Sequence, residues 1–272
     1  MRFAVVLPGG TAGQQLEDAV LAERAGWDGV FVPELAYGVD AWSVLAAIAV
    51  RTERVRLGTM LTPLPWRRPW KVASQVATVD RLSGGRAILG VGIGAPGLEL
   101  SGSHEETGVR ERAAMLDEGI DVIRALWAGS RGHDGQHYQY RAGALDLPES
   151  ARPARQRIPI WVVGVWPRPT SMRRVLRCDG IIPQYQAGDR EPGPADARAV
   201  RTWLTEHGAG AGFDMVADGE TPADDPAAAA RQVAGWAAAG CTWWLETRWS
   251  DAGQAGHDPM RARLTAGPPA SG

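Results

Sequence analysis

The chain has 272 residues, of which 44% are hydrophobic and 22% are charged, and its formal net charge is −2. These values suit one large globular domain, and they exclude the basic surface that binding to nucleic acid or to an anionic membrane requires. No segment approaches the roughly 18 consecutive apolar residues of a membrane-spanning helix, and the amino-terminal residues lack the apolar run of a signal peptide. We therefore expect a cytoplasmic protein whose partners include neither nucleic acid nor a membrane.

Short apolar segments alternate with amphipathic segments along the whole chain, which predicts alternating strands and helices. The predicted strands lie at 3–7, 29–33, 55–61, 86–91, 158–163, 180–182, 213–217 and 242–246. The predicted helices lie near 16–23, 42–50, 70–82, 110–127, 168–177, 194–207, 226–239 and 259–264. Gly26 has the position of a helix C-cap, and Asp224-Asp225 is a helix N-terminal signal. The segment 129–157 interrupts the alternation and is predicted to be a loop with a small hairpin around 137–140.

Eight strand–helix units with continuously apolar strands indicate a parallel sheet that is covered on both faces. We therefore predict a single (β/α)8 TIM barrel, an α/β fold, over residues 1–265, followed by a mobile tail at 266–272. The alternative is an open doubly wound sheet, which requires a glycine-rich turn after its first strand. The segment Leu7-Pro8-Gly9-Gly10-Thr11 matches that fingerprint poorly.

Function in a barrel of this kind resides in the loops that follow the carboxyl ends of the strands. Three segments near predicted strand ends are unusually rich in glycine or proline, namely 57–65, 82–94 and 160–167. Glycine allows a flat ring or a phosphate to approach the backbone where a side chain would block it. The alternative interpretation is that these glycines only form tight turns.

The same segments resemble the luciferase-like (bacterial luciferase-like) monooxygenase superfamily. The matching stretches are AERAGWDGVFVPE, LAAIAVRTERVRLGTMLTPLPWRRPWKVASQVATVDRLSGGRAILGVGIG, RERAAMLDEGIDVIRALWAG, RIPIWVVG and CDGIIP. The resemblance implies a flavin-type oxidoreductase that uses reduced F420 or FMN, either for hydride transfer to a small-molecule substrate or for its monooxygenation. It leaves open a non-catalytic flavin-binding protein, and it makes a homodimer possible. We favour F420 over FMN, because an arginine-rich chain with Lys71 as its only lysine indicates a GC-rich genome.

The resemblance also implies where the cofactor lies. A non-prolyl cis peptide at Met60-Leu61, followed by Thr62, would support the ring, and Gly92 and Gly94 would approach it. The loop Gly164, Val165 and Trp166 would take the phosphate through successive N–H groups, with Arg168 adding positive charge.

Two residues are candidates for catalysis. Glu34 follows the second strand and either positions substrate or relays a proton, or else is a structural carboxylate. His104 either touches substrate or is a solvated loop histidine. Where relatives carry a histidine after the acid this chain has Leu35, and Ala95 replaces the carboxylate of some deazaflavin dehydrogenases, which argues against sugar-phosphate dehydrogenase activity.

Aromatic residues near the loop segments are candidates for the substrate pocket: Trp66, Tyr37 and Trp249. Arg67 and Arg68 either meet an anionic group or form a solvated pair. We predict no metal site, because His133 and His137 with Asp134 lack further ligands at a suitable spacing. Cys178 and Cys241 are predicted to be buried, reduced thiols.

Overall fold

A computed structural model describes residues 1–94, 108–141, 152–154, 157–188, 190–249 and 257–269 of the chain. The strands are β1 (Arg2–Val6), β2 (Gly29–Val32), β3 (Arg56–Thr59), β4 (Thr62–Pro63), β5 (Ala87–Gly92), β6 (Gly132–Asp134), β7 (Gln139–Arg141), β8 (Ile160–Trp166), β9 (Gly180–Tyr185), β10 (Asp214–Gly219) and β11 (Trp243–Glu246). The helices are α1 (Ala12–Arg24), α2 (Ala41–Arg51), α3 (Pro69–Leu82), α4 (Val109–Trp127), α5 (Pro169–Val175), α6 (Pro194–Glu206), α7 (Pro226–Ala238) and α8 (His257–Ala266), with a 3-10 turn at Leu64–Trp66. None of the helices in these ranges is long and apolar enough to cross a membrane.

Eight of the strands close into a parallel barrel in chain order, namely β1, β2, β3, β5, β8, β9, β10 and β11. Closure is completed where β1 pairs with β11, with Ala4 opposite Leu245. A helix follows each barrel strand, which confirms the predicted (β/α)8 fold. The short strand β4 continues the third barrel strand beside β5.

Several element boundaries differ from the prediction. The third strand was expected to reach residue 61 but ends at Thr59, because the backbone turns there before β4 begins. The predicted small hairpin is present and pairs Gly132–Asp134 with Gln139–Arg141, so it begins earlier than the predicted 137–140. Helix α8 extends to Ala266, and both Gly267 and Pro269 are buried, so the predicted tail boundary at 266 falls inside this helix.

The helix ends follow from local sequence. Thr11 begins α1 with a capping box, in which its hydroxyl accepts from the Gln14 N–H and the Gln14 side chain accepts from the Thr11 N–H. Asp225 caps α7 by accepting from the Ala228 N–H at 2.8 Å, as its acidic signal predicted. Gly26 has a φ of +95°, the left-handed conformation that ends α1.

The segment Ser83–Arg86 has a structural role. It lies at the end of the barrel where the strands begin, opposite the loops that follow the strands. Gly84 and Gly85 both have positive φ, in the turn that precedes β5. The buried Arg86 guanidinium donates to the carbonyls of Ala49, Thr52 and Val55, which closes the carboxyl end of α2. The tight-turn interpretation therefore holds for these two glycines.

The barrel interior is filled by aromatic rings near the amino ends of the strands. Phe31 stacks on Trp161 at 5.3 Å between centroids, and Trp161 meets Trp243 edge-on at 5.3 Å. Two glycines make room for them: a Cβ on Gly58 would lie 2.6 Å from the Phe31 ring, and one on Gly180 would lie 2.4 Å from Trp161. Trp243 therefore belongs to the floor of the barrel. The carboxyl ends of the strands form the mouth.

Candidate active site at the carboxyl ends of the strands

The peptide bond between Met60 and Leu61 is cis, as predicted. It stands where β3 ends and β4 begins, with the Met60 N–H donating to the Val32 carbonyl at 3.0 Å. The Thr59 hydroxyl donates to the Gly90 carbonyl at 3.1 Å, which ties this bulge to the neighbouring strand. The loops that follow the third and fourth barrel strands, β3 and β5, are thereby joined in one wall of the mouth.

Gly92 lies directly against the bulge. A Cβ at this position would lie 2.9 Å from Leu61 Cδ1 and 3.3 Å from Val163 Cγ2, so a side chain would displace its neighbours. Gly94 has a φ of +82°, and a Cβ there would lie 2.6 Å from the ring of Trp66. The structure thus brings together the predicted ring-contact glycines, the cis bond and one predicted pocket tryptophan.

Glu34 lies in a polar network behind the bulge. Its carboxylate accepts from the Thr62 hydroxyl at 2.7 Å and from Arg67 Nη1 at 2.5 Å. The Trp42 indole N–H donates to the Thr62 hydroxyl at 3.2 Å, and Arg67 also donates to Gln75 at 2.8 Å. Because both carboxylate oxygens have partners, Glu34 holds Thr62, and therefore the bulge, in place.

Burial raises the pKa of the Glu34 carboxyl, and the neighbouring Arg67 guanidinium and Thr62 hydroxyl oppose that rise. The sequence leaves open whether Arg67 contacts an anionic group or is solvated. In the structure its guanidinium pairs with the Glu34 carboxylate. Arg68 is exposed, with its guanidinium 5.9 Å from the Trp70 ring centroid. Glu34 and Arg67 are 33 positions apart, and no local sequence pattern predicts that they pair.

The loop that follows β8 is already rich in internal hydrogen bonds. The Val165 N–H donates to the Ser171 hydroxyl at 2.9 Å, and the Arg168 N–H donates to the Val165 carbonyl at 2.8 Å. A Cβ on Gly164 would lie 2.7 Å from Val175, so this glycine lets α5 pack on the barrel. The N–H groups of Val165 and Arg168 already have partners in this loop. A phosphate here would therefore contact the exposed Arg168 side chain more than the backbone donors that the resemblance implied.

The opposite side of the mouth carries an acid that sequence reasoning did not single out. Asp218, at the end of β10, accepts a hydrogen bond from the Trp249 indole N–H at 3.1 Å. Burial raises the pKa of the Asp218 carboxyl, and the bond from Trp249 lowers it. The available signal was its position directly after the predicted strand at 213–217, where a loop of the mouth begins.

The remaining predicted residues are less informative. Tyr37 lies on the loop after β2 and is 85% exposed. His104 and Ala95 lie outside the described residues. His133 contacts Glu118 at 3.1 Å in the hairpin. Cys178 and Cys241 are buried and free, as predicted.

A closed parallel barrel with a cis bulge after its third strand and glycines on the adjacent strand is the architecture that the sequence resemblance implied. The sequence profile of the luciferase-like monooxygenase family matches residues 1–268. The chain therefore belongs to the luciferase-like monooxygenase family.

Sequence relatives point to deazaflavin enzymes. A Mycobacterium tuberculosis protein, named for coenzyme F420-dependent oxidoreductase activity, is 34% identical over 194 residues, covering 68% of this chain and 53% of that protein. The F420-dependent glucose-6-phosphate dehydrogenase of Nocardia farcinica is 36% identical over 148 residues, covering 50% and 44%. The chain thus spans about half the length of the curated relatives that it matches.

Solved structures support the fold over nearly the whole chain. The F420-dependent tetrahydromethanopterin reductase of Methanopyrus kandleri aligns with a TM-score of 0.72, 17% identity and coverage of 97% of each chain. The oxygenating constituent of Pseudomonas putida 3,6-diketocamphane monooxygenase, solved with FMN, aligns with a TM-score of 0.66 and 21% identity, covering 86% and 71%. At these identities the likeness establishes the fold alone.

Proposed function

We propose that the chain is a flavin-type oxidoreductase that binds reduced F420 or FMN across the barrel mouth and acts on a small organic substrate. The observation that carries the proposal is the wall of the mouth in which Leu61 packs against Gly92. A flat ring fits such a wall, because Gly92 lets the Leu61 side chain lie close against the strand and the half-buried Leu61 offers an apolar surface.

The bound cofactor would supply two electrons as hydride, either to the substrate or for the activation of oxygen. Met60, Leu61 and Gly92 would hold the ring, and Arg168 would bind its phosphate. The apolar side chains beneath the mouth, Val163 and Leu245 among them, exclude water from the reacting atoms.

F420 is favoured over FMN, because the curated relatives cited above are named for F420. Hydride transfer is the corresponding reaction, and oxygen activation is the alternative if FMN binds. The non-catalytic alternative has no support among the relatives.

The experiment that tests the proposal is a fluorescence titration of the apo-protein with F420 and, separately, with FMN. We expect saturable binding of F420, and we expect Gly92→Val to weaken it at least tenfold, because the new side chain would meet Leu61 and Val163. The matched control is Gly212→Val, since a Cβ at Gly212 would have no atom within 4 Å. Binding of neither cofactor, or equal affinity in the two variants, would contradict the proposal.

From the resemblance to the family, we also propose that the protein is cytoplasmic and forms a homodimer. Exposed apolar side chains on two adjacent helices, Val50 on α2 and Leu82 at the end of α3, offer a contact surface. Sedimentation equilibrium measures the oligomeric state, and a monomer at micromolar concentration would contradict the dimer.

A further inference from the structure

The wall of the mouth opposite the bulge presents an acidic side chain to the barrel interior. Asp218 is paired in register with Leu245, and Leu245 is fully buried in the inner core. Residues in register on parallel strands point to the same face, so Asp218 also points inward. Its strand is the seventh of the barrel and β3 is the third, so four strand positions separate Asp218 from the Met60-Leu61 bulge in either direction.

The contacts of Asp218 differ from those of Glu34. The Trp249 indole N–H donates to Oδ2 of Asp218, and the described contacts leave Oδ1 of Asp218 open. Asp218 is exposed at the mouth. An indole N–H can only donate, so it is satisfied whether the carboxyl is ionised or protonated. Glu34, in contrast, has Thr62 and Arg67 on its two oxygens.

The surroundings of Asp218 favour its protonated form. Water reaches Asp218 from the open mouth, but the barrel wall on its inner side raises the pKa of its carboxyl by desolvation, and the Trp249 contact opposes this rise. On β9, Tyr185 is also within electrostatic reach, and its pKa is raised by burial first and by Asp218 in smaller part. On the β11 side, Arg248 pairs with Glu220 at 3.2 Å. The acid therefore keeps its proton to a higher pH than an ordinary aspartate.

We propose that Asp218 is the catalytic proton donor at this mouth, held in position by Trp249, and that its substrate is a small neutral molecule with a C=O or C=N bond. The inference rests on the proposed oxidoreductase function. Because Asp218 lies on the wall opposite the bulge, it would face the open side of a ring held by Met60 and Leu61. The apolar surface formed by Val163 and Ile182 suits an uncharged body.

The bound reduced cofactor would supply a hydride to the substrate carbon, and the π pair of the double bond would move to oxygen or nitrogen. That atom takes the proton from Asp218, which gives an alcohol or an amine and an aspartate carboxylate. The cofactor is oxidised by two electrons, and the carboxylate is reprotonated by water from the open mouth.

The first experiment measures re-oxidation of the bound reduced cofactor, without oxygen, by a panel of small ketones, aldehydes and cyclic imines. We expect Asp218→Asn to bind cofactor as the wild type does but to react at least 100-fold more slowly with the best panel member. The wild-type rate should fall as pH rises through the pKa of Asp218, and the variant rate should not. Asp224→Asn, an exposed acid that follows the same strand, is the control and should behave as the wild type.

The second experiment needs no turnover. The infrared difference spectrum of apo wild type minus Asp218→Asn should contain a protonated carboxyl band that survives above the usual aspartate range of about pH 4. Loss of that band at ordinary pH, an unimpaired Asp218→Asn rate, or a cofactor that no panel member oxidises would each overturn the assignment. Failure to bind either cofactor would instead overturn the proposed function, and this assignment with it.

Discussion

At the residue scale, the raised pKa of Asp218 links its protonation to folding. An acid whose pKa is higher in the folded state stabilises the protein fully below its unfolded pKa of about 3.9, and this contribution is lost as pH rises through the folded pKa. Above the unfolded pKa Asp218 therefore destabilises the folded state, and Asp218→Asn removes that effect.

We expect Asp218→Asn to raise the melting temperature at pH 7 and to leave it unchanged below about pH 4. The asparagine carbonyl still accepts from Trp249, so the local contact is retained. Calorimetry across this pH range, with Asp224→Asn as the control, measures the difference. A pH-independent difference would show that the pKa of Asp218 is not raised.

Thr62 is the residue that connects Glu34 to the bulge. Thr62→Val keeps the shape but leaves Glu34 and the Trp42 indole each without one buried partner. We expect a loss of roughly 1–3 kcal/mol in the free energy of unfolding and a further rise in the pKa of Glu34. Urea unfolding measures the first effect, and Thr78→Val, at an exposed position in α3, should cost much less.

The sequence predicted some residues of the site and missed others for identifiable reasons. Met60, Leu61 and Gly92 were found because they lie in one continuous segment that resembles the family. The partnership of Glu34 with Arg67 depends on how two loops meet, and the hydrogen bond from Val165 to Ser171 depends on one turn geometry. Neither leaves a periodic pattern in the sequence.

At the scale of elements, the β6–β7 hairpin is attached to α4 through a single carboxylate. Glu118 accepts from the backbone N–H groups of His137 and Tyr138 at 2.9 and 2.8 Å, and from the His133 ring at 3.1 Å. Burial alone would raise the pKa of Glu118, but these donors outweigh it and lower the pKa.

We expect Glu118→Ala to destabilise the protein by roughly 1–3 kcal/mol and to speed hydrogen exchange at Tyr138. Because the folded pKa is lowered, the stabilisation is present above the ordinary glutamate pKa of about 4.3 and is lost as pH falls through the folded value. Hydrogen-exchange mass spectrometry measures the hairpin. The control is Glu111→Ala, at an exposed position in the same helix, and equal exchange in both variants would contradict the role of Glu118.

Element types were predictable because strand and helix differ in period, whereas element ends were not. The break after Thr59 and the hairpin turn at 135–138 are set by tertiary contacts, including those of Glu118. Gly26 and Asp225 were predictable ends, because a left-handed glycine and a side-chain cap act within one turn.

At the scale of the whole molecule, barrel closure depends on the fit of the aromatic floor. A methyl group at Gly58 would lie 2.6 Å from Phe31 and 2.7 Å from the Ile88 carbonyl oxygen, which is backbone and cannot rotate away. We expect Gly58→Ala to reduce the free energy of unfolding by about 1–3 kcal/mol. Gly13→Ala, at an exposed position in α1, should be neutral or stabilising, and thermal unfolding of the two variants is the comparison.

The aromatic floor also decides how ligands can be exchanged. Phe31, Trp161 and Trp243 fill the barrel near the amino ends of the strands, so molecules reach its interior through the mouth alone. Two ligands that share one entrance must bind in sequence and leave in the reverse sequence, since the inner one is covered by the outer one. Steady-state kinetics should therefore be compulsory-order, with the ligand that rests on the bulge binding first and departing last.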